Sequence, residues 1–195
     1  MKNTILTIAV FVTTLISSLQ LTAQEFKSLD KSPMDMAAFP SSYKISDKIV
    51  KVIYSRPQLK GRDLVKLAPP EKVWRTGANQ NTKITFSTDV TIGGKALKKG
   101  TYAIYTKPGE QTWDVIFYAD ATNWGNPKKW DETKVAAQVK ANVQQMPMKI
   151  ETFTMTFDAL TNDSAVLGLI WENVYVGVKF ETPTDALVSK QIKAI

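Results

Sequence analysis

Three arginines, Arg56, Arg62 and Arg75, are the only ones in a chain whose Lys and Arg together number 25. All three fall within residues 56–75, and lysine supplies positive charge everywhere else. A guanidinium presents a planar fork of donors that an ammonium cannot imitate, so confining Arg to one stretch marks a place where donor geometry matters. The aperiodic segment VWRTGAN, Val73 to Asn79, lies in the same region, and Tyr54 is the penultimate residue of the strand-like stretch Ile49–Ser55 before it. Tyr54, Arg56, Arg62, Trp74, Arg75 and Asn79 together would suit a carboxylate, phosphate or sugar, with Gly77 letting the backbone approach closely. The same residues also suit a structural corner, in which Trp74 fills the end of the core, Arg75 ties down loop carbonyls and Asn79 caps a turn. Trp124, in the loop ADATNWGNPKKWD (residues 119–131), is a further ligand-binding candidate; Trp124 and Trp130 could stack on sugar rings or cover the core.

Other chemistry is limited by what the chain lacks. With no His and no Cys, Ser–His–Asp and Cys–His catalysis, zinc sites of those ligands and disulfides are all excluded. Any metal would be a hard cation held by oxygen, for example at Asp120, Asn123 or Asn126, but the spacing fits no calcium loop and no metal site is expected. Nothing in the sequence implies a cofactor. Paired carboxylates for glycoside hydrolysis could come from Asp114, Asp120, Asp131 and Glu132, none of which sits in the Arg–Trp block. Ser-x-x-Lys occurs at Ser28–Lys31 and Ser41–Lys44, without the companion motifs that give such a pair its chemistry. The net charge of +7 is spread from end to end, which describes a solvated surface rather than a nucleic-acid footprint.

The elements that must position these residues are strands. Val135, Ala137, Val139, Ala141 and Val143 recur at every second position, as do Phe153, Met155 and Phe157, and Val174, Val176, Val178 and Phe180. A period of two means half-buried strands. Gly93–Gly94 and Pro108–Gly109 mark tight turns. Pro57, Gly61, Pro69 and Pro70 make residues 57–72 a long loop, and Thr182–Pro183–Thr184–Asp185 resembles a helix start. These signals predict one all-β domain, an antiparallel β-sandwich of jelly-roll-like or Ig-like meander type, over residues 49–182. It follows an irregular lead-in at 24–48 and precedes a short C-terminal helix at 183–195.

At the N-terminus, Lys2, the apolar run Ile5–Ile16 and the small Ala23 read as a cleavable signal peptide over residues 1–23, with the mature chain starting near Gln24. The run is shorter than the roughly 20 residues of a membrane span. The mature chain is therefore expected in the periplasm or outside the cell, without a membrane span.

The blocks LDKSPMDMAAFP, VIYSRPQLKGR, KVWRTGANQNTKITFSTDVTIGGKALKKGTYAIYTKPGEQTWDVIFY and NWG resemble the bacterial family called domain of unknown function 2911, over nearly all of residues 29–180. The resemblance implies an exported protein, mostly of Bacteroidetes, with no assigned activity. Its recurring positions correspond to Tyr54, Ser55, Arg56, Pro57, Gly61, Arg62, Trp74, Arg75, Gly77, Ala78 and Asn79. The family's Pro-Tyr-Gly turn before VW is replaced here by Ala68–Pro69–Pro70–Glu71–Lys72. The expected function is an exported, non-catalytic binding or interaction module for an anionic or carbohydrate ligand or an envelope protein. The alternatives are an envelope polysaccharide hydrolase using paired carboxylates and a structural envelope protein without a small ligand.

Overall fold

A computed structural model describes residues 28–193. By backbone proximity the chain divides into Met1–Asp30 and Lys31–Ile195. The expected signal peptide and the cleavage point near Gln24 lie outside the described residues, and of the first unit only residues 28–30 are described, without regular structure.

Among its described residues the second unit holds nine strands: β1 Met34–Phe39, β2 Val50–Ser55, β3 Thr82–Phe86, β4 Val90–Ile92, β5 Lys95–Leu97, β6 Gly100–Lys107, β7 Thr112–Tyr118, β8 Val135–Asp158 and β9 Ser164–Glu181. Among the described residues, helix is confined to one turn, α1 Leu64–Leu67, a 3-10 turn at Glu132–Lys134, and α2 Thr184–Ile192. All pairings are antiparallel, and the sheet runs β1-β2-β3-β6-β7-β8-β9-β4-β5. The all-β antiparallel architecture read from the alternation is therefore the one that folds. Its layers are joined rather than separate. The first half of β8 pairs with β7, from Val135 to Asn142, and the rest pairs with β9 from Val143 onward. Register shifts between Gln145 and Ile150, and again before Thr154, interrupt that second pairing, and such irregularities bend a strand.

The far end of β8 meets the chain just after β2. The Leu59 N–H donates to the Glu151 carbonyl (2.9 Å) and the Phe153 N–H to the Pro57 carbonyl (2.9 Å). The sheet thus folds over a common core that includes Val52, Ile84, Ile104, Val115, Phe153, Leu167 and Val178. A smaller apolar cluster, Ala103, Tyr105, Ile116 and Tyr118, sits apart from this core, with Val73, Ala121, Trp130 and Val135 packed against it.

Two segments depart from the expected boundaries. The lead-in contains β1, which pairs with β2 along its whole length from Met34↔Ser55 to Phe39↔Val50. As an edge strand it leaves Met34 and Met36 largely exposed while Phe39 is buried, so hydrophobic alternation is weak there. The loop at 57–72 holds the single turn α1, whose Leu64 is buried. The Gly93–Gly94 turn forms as expected, joining Ile92 to Lys95 with both glycines at positive φ, 56° and 76°.

Buried phenols give the fold a pH dependence. Burial pushes the Tyr54 hydroxyl up from its ordinary value of 10.0. Burial, then the Asp158 carboxylate, pushes Tyr175 up to about 12. The folded chain therefore retains protons that the unfolded chain releases above pH 10. This contribution is complete below pH 10 and is lost as pH rises toward the folded values. The urea midpoint is expected to show no tyrosine-linked change from roughly pH 7 to 9 and to fall above about 10. Tyr175→Phe should reduce that fall, and an unchanged alkaline slope in the variant would contradict the assignment.

Candidate functional site

The sequence-predicted site separates into two parts. Tyr54 and Arg56 form a staple between strands and do not line the cleft described below. The Tyr54 hydroxyl accepts from the Met155 N–H (3.0 Å) and donates to Asp35 (3.3 Å). Arg56 pairs with Asp35 (3.1 Å), and donates from Nε to the Phe153 carbonyl (3.3 Å) and from Nη2 to Thr154 Oγ1 (3.1 Å). Because Asp35 is on β1, Arg56 follows β2, and Phe153 and Thr154 are on β8, the guanidinium closes the sheet on itself. Arg56→Ala should cost about 2 kcal/mol of stability, the scale of hydrogen bonds to a charged group. Urea unfolding checks this, and a loss below about 0.5 kcal/mol, the scale of an ordinary surface substitution, would contradict the staple.

The VWRTGAN corner hangs from β6. The Trp74 N–H donates to the Thr106 carbonyl (2.8 Å), and the Thr106 N–H returns the bond (2.9 Å). Thr82 Oγ1 donates to the Thr76 carbonyl (2.6 Å). Glycine is needed at 77, because a Cβ there would lie 3.0 Å from both the Ser55 carbonyl oxygen and Thr82 Oγ1. The Trp74 ring points inward, 7% exposed, stacked on Trp171 at 5.5 Å and edge-on to Phe153 at 5.2 Å. On this side the corner is structural.

Its other side is open. Arg62, Trp74, Arg75, Asn79 and Trp124 line one cleft of about 510 Å³, together with Pro57, Leu67, Pro69, Asn126 and Trp171. Arg62 is partly taken up, donating from Nε to the Leu59 carbonyl and from Nη2 to the Gln58 carbonyl, both at 2.9 Å. Arg75 donates from Nη1 to the Asn79 carbonyl (2.8 Å). Among the described residues that is the one acceptor of its five N–H groups. The guanidinium lies against Gly125, where a Cβ would come within 2.9 Å of Nη1 and 3.2 Å of Cζ. Asn79 adopts the left-handed region (φ 56°) and donates from Nδ2 to the Ser32 carbonyl (3.3 Å).

The loop at 119–131 is fixed beside this corner. The Tyr105 hydroxyl donates to the Gly125 carbonyl (3.0 Å) and Asn126 Nδ2 to the Val73 carbonyl (2.9 Å). Burial raises the Tyr105 phenol above its usual value, so it stays a donor. The two loop tryptophans have opposite fates. Trp130 packs 4.7 Å from the Tyr118 ring and covers the outer cluster, whereas Trp124 is 70% exposed at the cleft. Asn126, weighed in the sequence only as an oxygen ligand for a cation, and Trp171 also line the cleft; Trp171 ends the apolar run AVLGLIW and reads only as core.

The acids lie elsewhere. Asp114 pairs with Lys140, and Glu132 accepts from the Trp130 indole. Asp131 caps the 3-10 turn, its carboxyl held low by Thr133. Asp120 is held well below the ordinary carboxylate range by the Thr122 hydroxyl and then Lys134. None of these four lines the cleft. Among the described residues no cluster of three or more His, Cys, Asp or Glu could hold a metal ion, and no helix is long and apolar enough to cross a membrane.

No curated protein and no solved structure matches the chain at a significant level. The corner, the Gly93–Gly94 hairpin and the Trp124 loop all fall within residues 32–180, which match the family described as "Protein of unknown function (DUF2911)", and the chain belongs to that family.

Proposed function

We propose that the protein is an exported, non-catalytic binding module whose cleft takes a small ligand bearing a carboxylate on a sugar-like ring. The observation that carries this reading is the Arg75 guanidinium, anchored by one N–H to Asn79 and otherwise open to a guest in a concavity of ligand size. An Arg fork binds a carboxylate through two parallel charge-assisted hydrogen bonds. The exposed Trp124 indole beside it offers a flat apolar face to the C–H groups of a ring. Among the described residues the cleft lining carries no carboxylate, which favours binding over hydrolysis by paired acids. Export rests on the leader-like pattern Lys2, Ile5–Ile16 and Ala23.

Thermal-shift measurements with D-galacturonate and D-galactose test the ligand class, since the two sugars differ in the carboxylate. Stabilisation by the acid and not by the neutral sugar is expected. Equal shifts, or none with either, would remove the reading.

A further inference from the structure

Trp124 and Asn126 also form the wall of a second hollow, of about 360 Å³, whose lining includes Lys128, Lys129 and Lys134. Lys134 is held by Asp120 at 2.9 Å. Lys128 and Lys129 are exposed, and neither pairs with an acid among the described residues. A single indole thus stands between a guanidinium on one side and two unneutralised ammonium groups on the other. Its loop is held in place: Gly125 is tied to Tyr105, Asn126 to Val73, and Trp130 is packed beneath. Trp124 is presented by a fixed backbone rather than by a loose tip.

We infer that the cleft and this hollow form one continuous site for an acidic oligosaccharide of at least two sugar units. One carboxylate sits on the Arg75 fork, a sugar ring lies across Trp124, and the next carboxylate meets Lys128 and Lys129. This rests on the assignment of the Arg75 cleft as an anion site. The chemistry favours a sugar chain over a nucleic acid. Single-stranded nucleic acids are held on successive aromatic platforms, and of the two tryptophans in this loop one is exposed and the other packed. A uronic-acid oligomer needs only one of its rings on an apolar platform, because its successive carboxylates are met by cations such as Arg75, Lys128 and Lys129. Lysine suits the outer position, since it meets a charge without demanding the planar fit of an Arg fork.

The test is calorimetric titration of D-galacturonate and of tetragalacturonate into the wild-type protein, Lys128→Ala/Lys129→Ala, and Lys95→Ala/Lys99→Ala, which removes the same charge from β5 and the turn that follows it. Wild type should bind the tetramer about tenfold or more tighter than the monomer, beyond the roughly fourfold statistical gain of a repeating ligand. That ratio should fall toward the statistical value in the Lys128/Lys129 variant and persist in the Lys95/Lys99 variant. A wild-type ratio at the statistical value, with the monomer still bound, would overturn the extended site and leave the Arg75 cleft standing. Absence of binding by both ligands would overturn the cleft itself. Displacement of the tetramer by a single-stranded oligonucleotide of similar charge would also overturn the inference, by assigning the surface to nucleic acid.

Discussion

Replacing Trp74 with alanine is expected to destabilise the fold by about 3–5 kcal/mol, the range for removing a buried aromatic ring. Trp74 is 7% exposed and touches three rings: Trp171 in a stacked contact, and Trp113 and Phe153 edge-on. Those rings come from β7, β8 and β9, so the indole joins the corner to both layers. Its backbone exchanges two hydrogen bonds with Thr106, so the cavity is framed by fixed chain and can collapse only partly. Domains of this size have total stabilities of roughly 5–15 kcal/mol, and the melting temperature should drop by about 10 °C. Trp74→Phe should retain most of the stability. Urea unfolding separates this account from one in which Trp74 is a ligand platform. In that case Trp74→Ala would weaken binding while costing less than about 1 kcal/mol of stability.

Arg75→Lys is expected to do the reverse. The ligand-free melting temperature should be nearly unchanged, because Arg75 makes one hydrogen bond to Asn79 and lysine can replace it. Affinity for D-galacturonate should fall by about tenfold or more, the cost of replacing a bidentate charged pair by a single point contact. Titration calorimetry alongside thermal unfolding reads both quantities. A variant that unfolds would make Arg75 a structural tie of the corner, and one that binds normally would empty the cleft of its proposed purpose.

The strands were legible because their alternation is local. Val135–Val143 and Val174–Phe180 each carry a period of two over enough residues to override the helix-like composition of KVAAQVKANV. What alternation cannot convey is the partner. Nothing in the run from Val135 to Asp158 says that its first half faces β7 and its second half β9, because pairing depends on residues far away in sequence. Edge strand β1 was hidden for a related reason: it buries little, so its pattern is faint.

The site was legible in the same uneven way. The confinement of Arg to residues 56–75 singled out a candidate region, and Arg62, Trp74, Arg75, Asn79 and Trp124 line one cleft. It could not show that Arg56 turns toward Asp35 and β8, since that direction is set by tertiary contacts. Nor does any local rule distinguish Trp124 from Trp130, six residues apart in one loop. The packed one is chosen by Tyr105 and Tyr118 on β6 and β7.

The scarcity of arginine offers the most direct test. The chain has three, so a nitrogen-15 spectrum of the guanidinium Nε–H groups holds at most three signals, each assignable by a single Arg→Lys substitution. On titration with D-galacturonate the Arg75 signal should shift, while that of Arg56, held by Asp35, Phe153 and Thr154, should stay in place. An Arg75 signal that does not move at saturating ligand, or a response confined to Arg56, would contradict the assignment of the cleft.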